Sequence, residues 1–334
     1  MSNISINDAL ILPNSLFIDV RSEGEFEDDH IPGAVNIPIL DNEERHIVGY
    51  TYKQVSKDKA YEIGYSIFDK KIKDFEKVVN KNIDKNIVFY CFRGGTRSTV
   101  FADYFNKKGI KVYKLEGGYK KYREFIRDEI KKIPLPKNIM VMYGYTGSGK
   151  TRLIKLLKNS IDLEGLAKHR SSLFGAVGLK PNTQKMFESL LYFELKKERN
   201  YLILEGESRK IGDIFIPQNL FDSMIYSPNK ISITCPIDIR ANRIVEEYFE
   251  DDSKIDEVKK VMTGLGKFVG NKKVEELNNY LSKKDYFTFS KVMLKDYYDP
   301  LYAHFAKNFN FQKEISSEDL DLATKEIEQF CNQI

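Results

Sequence analysis

The stretch YCFRGGTRS, residues 90–98, sets one cysteine, Cys91, at the end of an apolar run and at the head of a glycine-rich loop carrying Arg93 and Arg97. Such a loop turns successive backbone N–H groups inward, so an anion or a group borne on a thiolate can sit in a concave, electropositive cradle. Residues 99–108 carry a helical pattern, and a helix starting there would favour the thiolate of Cys91 over the thiol. Cys91 is therefore the candidate nucleophile and Arg97 its anion-binding partner. Arg93, Gly94, Gly95, Thr96 and Ser98 complete the cradle.

Working outward, residues 16–20, 87–90 and 111–115 read as short strands, and 71–80 and 99–108 as helices, the alternation of a mostly parallel α/β sheet. A charged helix over 119–132 is expected to end before Pro134 and Pro136. The spacing divides the chain into a domain over 1–130, a linker at 131–136 and a second domain over 137–334. There the strand NIMVMYG runs into GYTGSGKT, residues 144–151, which satisfies G-x-x-x-x-G-K-[ST] with a strand before it and a helix, 151–159, after it. Gly144, Tyr145, Thr146, Gly147, Ser148 and Gly149 would wrap a diphosphate with backbone N–H groups; Lys150 would neutralise its outer oxygens and Thr151 could hold Mg²⁺. Further strands are expected at 201–204 and 230–234. The first of these ends in EGESRKIG, which puts Glu205 and Glu207 near the loop, where carboxylates orient a metal or a water. The segment IDLEGLAKHRSSLFG, 161–175, sets Asp162, Glu164, Lys168, His169, Arg170, Ser171 and Ser172 among apolar residues, a pattern suited to phosphate or ribose contacts. Beyond residue 238 the pattern is helical, with no strand expected.

The chain has 334 residues, a net charge of +4, three cysteines and four histidines. Cys91, Cys235 and Cys331 are too scattered for a disulfide framework, and the histidines lack ligand spacing. Cys235 and Cys331 read as packing residues. The N-terminus lacks the pattern of a signal peptide and no run approaches the ~18 apolar residues of a membrane span, so a soluble cytoplasmic protein is expected, with no membrane partner and no tightly bound cofactor. The basic pairs at 120–121, 131–132, 272–273 and 283–284 are compatible with a polyanionic partner but read individually as solvated helix faces.

Three motifs in order, LFIDVRSEGEFEDDHIPGAVNIP (16–38), YCFRGGTRS and LEGGYKKYREF (115–125), resemble the rhodanese family over nearly all of residues 10–127. In that family the loop cysteine carries a transferable sulfur or selenium, a role the resemblance places on Cys91. Asp19, Arg21, Glu25 and His30 fall on the first motif, with a mainly structural role expected. The C-x5-R spacing from Cys91 to Arg97 is one residue longer than the common sulfurtransferase loop and is shared with cysteine-dependent phosphatases, so it suits a phosphate-sized cargo.

Rhodanese motifs followed by GYTGSGKT, DLEGLAKHR and EGESRKIG resemble, along the whole chain, the tRNA 2-selenouridine synthase family. The resemblance implies an N-terminal rhodanese-like parallel-sheet domain followed by a P-loop NTPase-like α/β domain with a helical C-terminal region. It also implies geranyl diphosphate, selenophosphate and tRNA as ligands: a wobble 2-thiouridine is geranylated on sulfur and the S-geranyl group is exchanged for selenium, which Cys91 is expected to take up. Ser171 stands where the family pattern HRGS has glycine. Two other readings remain open at this point, a cysteine-dependent phosphatase or sulfurtransferase fused to a kinase-like NTPase, and a rhodanese docking module on a P-loop NTPase.

Overall fold

Short apolar runs between polar turns bury side chains on both faces when they assemble into a parallel sheet covered by helices. Two such sheets form here, in a computed structural model that describes residues 2–307 and 309–333. The chain divides into two compact units: the residues up to Lys132 with Glu188–Tyr192, and Ile133–Phe187 with the residues from Phe193 onward.

The first unit runs β1 (Ser2–Ile4), α1 (Ile6–Ile11), β2 (Ser15–Asp19), α2 (Glu23–Asp28), β3 (Val35–Asn36), α3 (Asn42–Gln54), α4 (Lys57–Lys81), β4 (Asn86–Tyr90), α5 (Thr96–Lys107), β5 (Tyr113–Leu115) and α6 (Gly118–Glu129). Its strands lie in the order β1-β5-β4-β2-β3, every neighbouring pair parallel. Asp19 pairs with Tyr90 and Phe89 with Lys114, so β2, β4 and β5 end along one edge, where parallel sheets bind ligands. Ser56 caps α4 by accepting from the Lys59 N–H, and Phe68 and Phe75 turn its apolar stripe to the core. There Phe101 of α5 stacks on Phe75 at 3.8 Å and on Phe89 at 5.5 Å between ring centres.

Several boundaries differ from those expected. Gly95 is extended and caps α5, so the helix starts at Thr96, and Thr96, Arg97 and Ser98 form its first turn rather than the end of a loop. The helical pattern at 71–80 is the C-terminal part of the much longer α4, and the strand at 111–115 pairs only from Tyr113. Neither β1 nor α3 was anticipated, since one is three residues long and the other buries only Thr51.

The second unit runs β6 (Asn138–Gly144), α7 (Lys150–Leu156), β7 (Ser160–Ile161), α8 (Leu163–Ala167), α9 (Gln184–Leu195), β8 (Tyr201–Glu205), β9 (Lys210–Ile211), β10 (Ile214–Phe215), α10 (Gln218–Tyr226) and β11 (Asn229–Thr234). It continues with α11 (Ile237–Phe249), α12 (Ile255–Met262), α13 (Gly266–Val269), α14 (Asn271–Ser282), α15 (Tyr286–Met293), α16 (Asp299–Ala306), β12 (Lys313–Ser316) and α17 (Leu320–Cys331). Its main sheet is parallel, in the order β12-β11-β6-β8-β7, which sets β6 in the middle. β12 corrects the expectation that no strand follows residue 238. This edge strand buries only Ile315 of its four residues, too little for a period-two signal. Helices α11, α12, α14 and α15 gather a second core around Phe249, Val258, Leu277, Phe289 and Met293. Among the described residues no helix is long and apolar enough to cross a membrane.

Candidate functional site

Cys91 follows β4 directly and is buried, with Sγ 3.3 Å from Ser98 Oγ. Among the described residues nothing accepts from the backbone N–H groups of residues 92–98, three of which belong to the first turn of α5. The loop carbonyls are instead tied from behind: Tyr119 N–H donates to Cys91 O and Lys120 N–H to Phe92 O, both at 2.9 Å. The glycines of LEGGYKKYREF explain this approach. A Cβ on Gly118, whose φ is +57°, would stand 2.1 Å from Cys91 O and 2.5 Å from Gly94 N. Gly94, at φ +64°, would bring a Cβ within 2.8 Å of Leu115 O. With carbonyls engaged outward and N–H groups free, the loop has the polarity of an anion cradle.

Arg97 is not poised alone over this cradle. Its Nη1 donates to Glu25 Oε2 at 3.0 Å, and Arg45 Nε lies 3.0 Å from the same oxygen. Burial would raise the Glu25 carboxyl, but the hydrogen bond from Arg97 and the charges of Arg97 and Arg45 hold it below the ordinary carboxylate value. Glu25 thus orients the arginine, a function its place in the first motif did not reveal. Arg93, Gly95 and Thr96 are exposed around the loop, and Gly94 is half-buried.

Asp19 and Arg21 form a buried pair at 2.6 Å. Arg21 also donates to Asp29 O at 2.7 Å and lies 3.8 Å over the Tyr119 ring, while Tyr119 Oη donates to Asp29 at 3.0 Å. A buried charge needs this many partners to offset its desolvation. The network ties β2 to the first turn of α6, the turn that backs the Cys91 loop. His30 stacks on Phe26 at 3.7 Å.

In the second unit the loop after β6 is built by the same logic. Gly147 (φ +75°) and Gly149 (φ +91°) turn the chain, and a Cβ on Gly149 would stand 2.6 Å from Arg243 Nη1. Arg240 Nε donates to Thr146 O at 2.9 Å and Arg243 Nη1 to Ser148 O at 2.8 Å, again engaging carbonyls from outside. Arg240 is itself paired with Asp299 at 3.0 Å, and Arg243 Nη2 donates to Ser317 O at 2.6 Å. Lys150 Nζ donates to Gly144 O at 2.7 Å, folding the ammonium across the loop, and the Tyr145 ring packs on Tyr302.

Acids gather next to Lys150 and Thr151. Thr151 Oγ1 donates to Glu164 Oε2 at 3.1 Å and lies 3.5 Å from Glu205 Oε2, which belongs to the C-terminal residue of β8. Burial first, then the charges of Glu164, Glu207 and Asp162, push Glu205 well above the ordinary range. Glu207 is pushed up to about 8 by burial and by Glu164, against the lowering effect of Lys150. Glu164 is likewise raised, by burial above all.

The segment 161–175 divides its labour differently from the expectation. Asp162 caps α8, accepting from Gly165 N–H at 2.6 Å, and it is Glu164 that reaches Thr151. Arg170 pairs with Glu247 and lies 4.8 Å over the Tyr248 ring, at the rim of the loop's cavity. His169 sits between Gly175 and Gly212 and lines a separate cavity. Arg240 and Arg243 were missed, although they follow the end of β11, the strand beside β6. Of the other cysteines, Cys331 has its thiol pushed up to about 12 by burial and by Glu328, whereas Cys235 lies 3.5 Å from Arg243 Nη1, a polar contact unlike the packing role expected. Lys120 and Lys121 both reach Glu124 on their own helix, and Lys273 pairs with Glu276 and Asp296.

The phosphate-type loop opens into a cavity of about 740 Å³, within the range of small-molecule sites. Gly144, Thr146, Gly147, Ser148, Gly149, Lys150, Thr151, Glu164 and Glu207 give it a polar lining, joined by Arg170, Arg243 and Glu247. Phe174, Phe249, Val258, Phe289, Met293 and Leu301 line an apolar end, to which a π-helical segment, Leu294–Tyr298, adds Tyr297 and Tyr298.

Comparison with known proteins matches residues 137–330 to a family model described as the tRNA 2-selenouridine synthase AAA domain and residues 5–125 to the rhodanese-like domain. A tRNA 2-selenouridine synthase of Nitrosomonas europaea is 36% identical over 74% of this chain and 67% of its own length. One from Sulfurovum sp. is 30% identical over 88% of this chain and 89% of its own. Among solved structures, an N-terminal domain from Clostridium difficile 630 is 42% identical over 37% of this chain and 98% of its own, with a TM-score of 0.37.

Proposed function

This chain belongs to the tRNA 2-selenouridine synthase family and is an enzyme of tRNA modification, and we propose that it acts in two steps, one at each anion cradle. The wobble 2-thiouridine is first geranylated on sulfur at the P-loop, then selenated at the Cys91 loop, in the cytoplasm. The observation that carries this reading is the cavity of about 740 Å³, in which the P-loop faces an apolar, aromatic end. A nucleotide would set polar ribose and base edges against that wall, whereas an isoprenoid diphosphate matches both ends.

In the first step the thiocarbonyl sulfur attacks the allylic carbon; a C–S bond forms, the C–O bond breaks, diphosphate leaves with the electron pair, and the N3 proton of the base passes to the departing diphosphate. The Lys150 ammonium and the N–H groups of Gly147, Gly149, Lys150 and Thr151 meet the charge that develops on the leaving group, while Ser148 N–H is taken by Tyr145 O at 3.0 Å. Thr151 Oγ1 with the carboxylates of Glu164 and Glu205 is an oxygen donor set of the kind Mg²⁺ takes. No group of three or more His, Cys, Asp or Glu among the described residues would hold a metal unaided, so the ion would be shared with the diphosphate and supply charge neutralisation.

In the second step the phosphate of selenophosphate rests on the N–H groups of residues 92–98, with Arg97 beside it. Electron balance decides which atom Cys91 attacks. Taking selenium onto sulfur as a perselenide would leave phosphorus at the phosphite level. Attack on phosphorus breaks the P–Se bond, places the phosphoryl group on Cys91 Sγ and frees selenide without any change of oxidation state. Selenide then adds at C2 of the geranylated base, the C–S bond breaks, geranyl thiolate leaves, and water releases phosphate from Cys91. Mass spectrometry of tRNA nucleosides tests the division. Geranyl diphosphate alone should give the S-geranyl nucleoside, and both donors the 2-selenouridine. Cys91→Ala should abolish selenation and spare geranylation; equal loss of both would refute the assignment.

A further inference from the structure

A second apolar cleft lies in the first unit, beside the Cys91 loop. Leu40, Val48, Tyr61, Tyr65 and Phe68 form its walls, and Thr96 and Arg97 of the loop close one end. Tyr61 and Tyr65 are 41% and 50% exposed at its rim, an uneconomical arrangement for two aromatic side chains that only support a helix. Gly64 also lines the cleft, in the interior of α4. Glycine is among the least favourable residues for a helix interior. Among the described residues neither backbone nor packing requires it there: its φ is not positive and a Cβ would meet no described atom within 4 Å. What the glycine preserves is the open space of the cleft.

We propose that this cleft holds the geranyl chain of the S-geranylated nucleoside while selenium replaces it, an inference that rests on the two-step reading above. Continuity with the loop identifies the occupant: the wall is hydrocarbon and aromatic, and its polar end is the pair of residues, Thr96 and Arg97, that opens α5 next to the reacting centre. The cleft holds about 100 Å³. An apolar cavity of about 150 Å³ takes one benzene ring, so this one takes about four carbons, close to the first isoprene unit of a geranyl chain. The exposed rings of Tyr61 and Tyr65 would cover the remainder.

The test uses the full chain and two probes, a tRNA anticodon stem-loop carrying S-geranyl-2-thiouridine and the same stem-loop carrying 2-thiouridine. Wild type should bind the geranylated probe more tightly. Gly64→Leu starts from a Cβ that meets no described atom within 4 Å and puts its branched end into the cleft, so it should leave the melting temperature equal or higher. It should raise the KM for selenation of the geranylated probe by about tenfold or more, the equivalent of about two methylene groups returned to water. Affinity for the unprenylated probe and the rate of its geranylation should not change. An unaltered KM refutes the cleft, and so does an equal loss of affinity for both probes, which would make the tyrosines an RNA-stacking surface. If wild type itself converts neither probe, the two-step reading fails and the inference with it; if wild type is active and the variant pattern is absent, only the inference fails.

Discussion

Replacing Gly118 by alanine should separate backbone strain from a direct clash behind the Cys91 loop, with Gly109→Ala as its control. Both glycines have positive φ, +57° and +79°, so each substitution carries the left-handed penalty of about 1–2 kcal/mol. At Gly109 a Cβ meets nothing within 4 Å, and strain should be the whole cost. At Gly118 the Cβ would stand 2.1 Å from Cys91 O, a distance no carbon and oxygen tolerate without bonding, so the loop or the first turn of α6 must move by an ångström or more. That displacement adds about 1–3 kcal/mol, the usual cost of overpacking. It also breaks the hydrogen bond from Tyr119 N–H to Cys91 O that orients the loop. Urea denaturation followed by a probe in the first unit should give losses of about 1–2 kcal/mol for Gly109→Ala and about 2–5 kcal/mol for Gly118→Ala. Selenation of geranylated tRNA should fall about a hundredfold in Gly118→Ala, the scale expected for an ångström of misplacement at a reacting group. Geranylation should be unchanged in both. If Gly118→Ala is no less stable than Gly109→Ala and selenates normally, the turn does not position Cys91.

Lys150→Ala should lower geranylation at least about a hundredfold while sparing selenation of a tRNA already geranylated, read by the same nucleoside mass spectrometry. Arg243→Met removes the donor to Ser148 O and Ser317 and should weaken geranyl diphosphate binding, measured calorimetrically, more than it changes the rate of bound substrate. Glu25 has a folded-state pKa below its unfolded value, so its contribution to stability is present above the unfolded pKa and is lost as the pH falls through the folded one. Acid titration of the first unit should therefore show a stability loss below the ordinary carboxylate range that Glu25→Gln flattens; an identical acid profile in the variant would refute the pairing.

The strands and the two loops were legible because their chemistry is local. An apolar run followed by glycines and a cation writes a strand and an anion cradle in consecutive residues, as at 87–98 and 138–151. What the sequence hid depends on distant partners. Arg240 and Arg243 reach the P-loop from α11, more than ninety residues away, and nothing in their own neighbourhood distinguishes them from surface arginines. Asp162 and Glu164 look alike in the sequence, because only the turn at α8 decides which acid caps and which faces Thr151. The apolar wall of the large cavity is composed of helix-spaced residues that also serve as core, so periodicity marked them as buried without showing that they face an opening.

Both cradles solve one problem, keeping N–H groups turned inward, by engaging the neighbouring carbonyls from outside, but their cations are held in ways that suit different steps. At the P-loop Lys150 rests on a neutral carbonyl, Gly144 O, which a departing diphosphate can displace without breaking an ion pair. The charge is thus available where a highly charged leaving group forms. At the Cys91 loop Arg97 is tied to Glu25, which it shares with Arg45, so two guanidinium groups and one carboxylate leave a single net positive charge at a fixed distance from the thiol. Fixing the arginine limits its reach but spares the ordering cost of a flexible side chain at the moment of reaction. On the proposed mechanism, phosphoryl transfer to Cys91 would pass a charge already present in selenophosphate from one chalcogen to another, and it would need a stationary, moderately positive cradle more than a mobile one. Glu25→Gln should accordingly raise the KM for selenophosphate less than it slows the step itself, because the released Arg97 can still reach the anion but no longer waits in one place. A rise in KM with an unchanged rate would show instead that Glu25 does nothing for Arg97 once the anion has arrived.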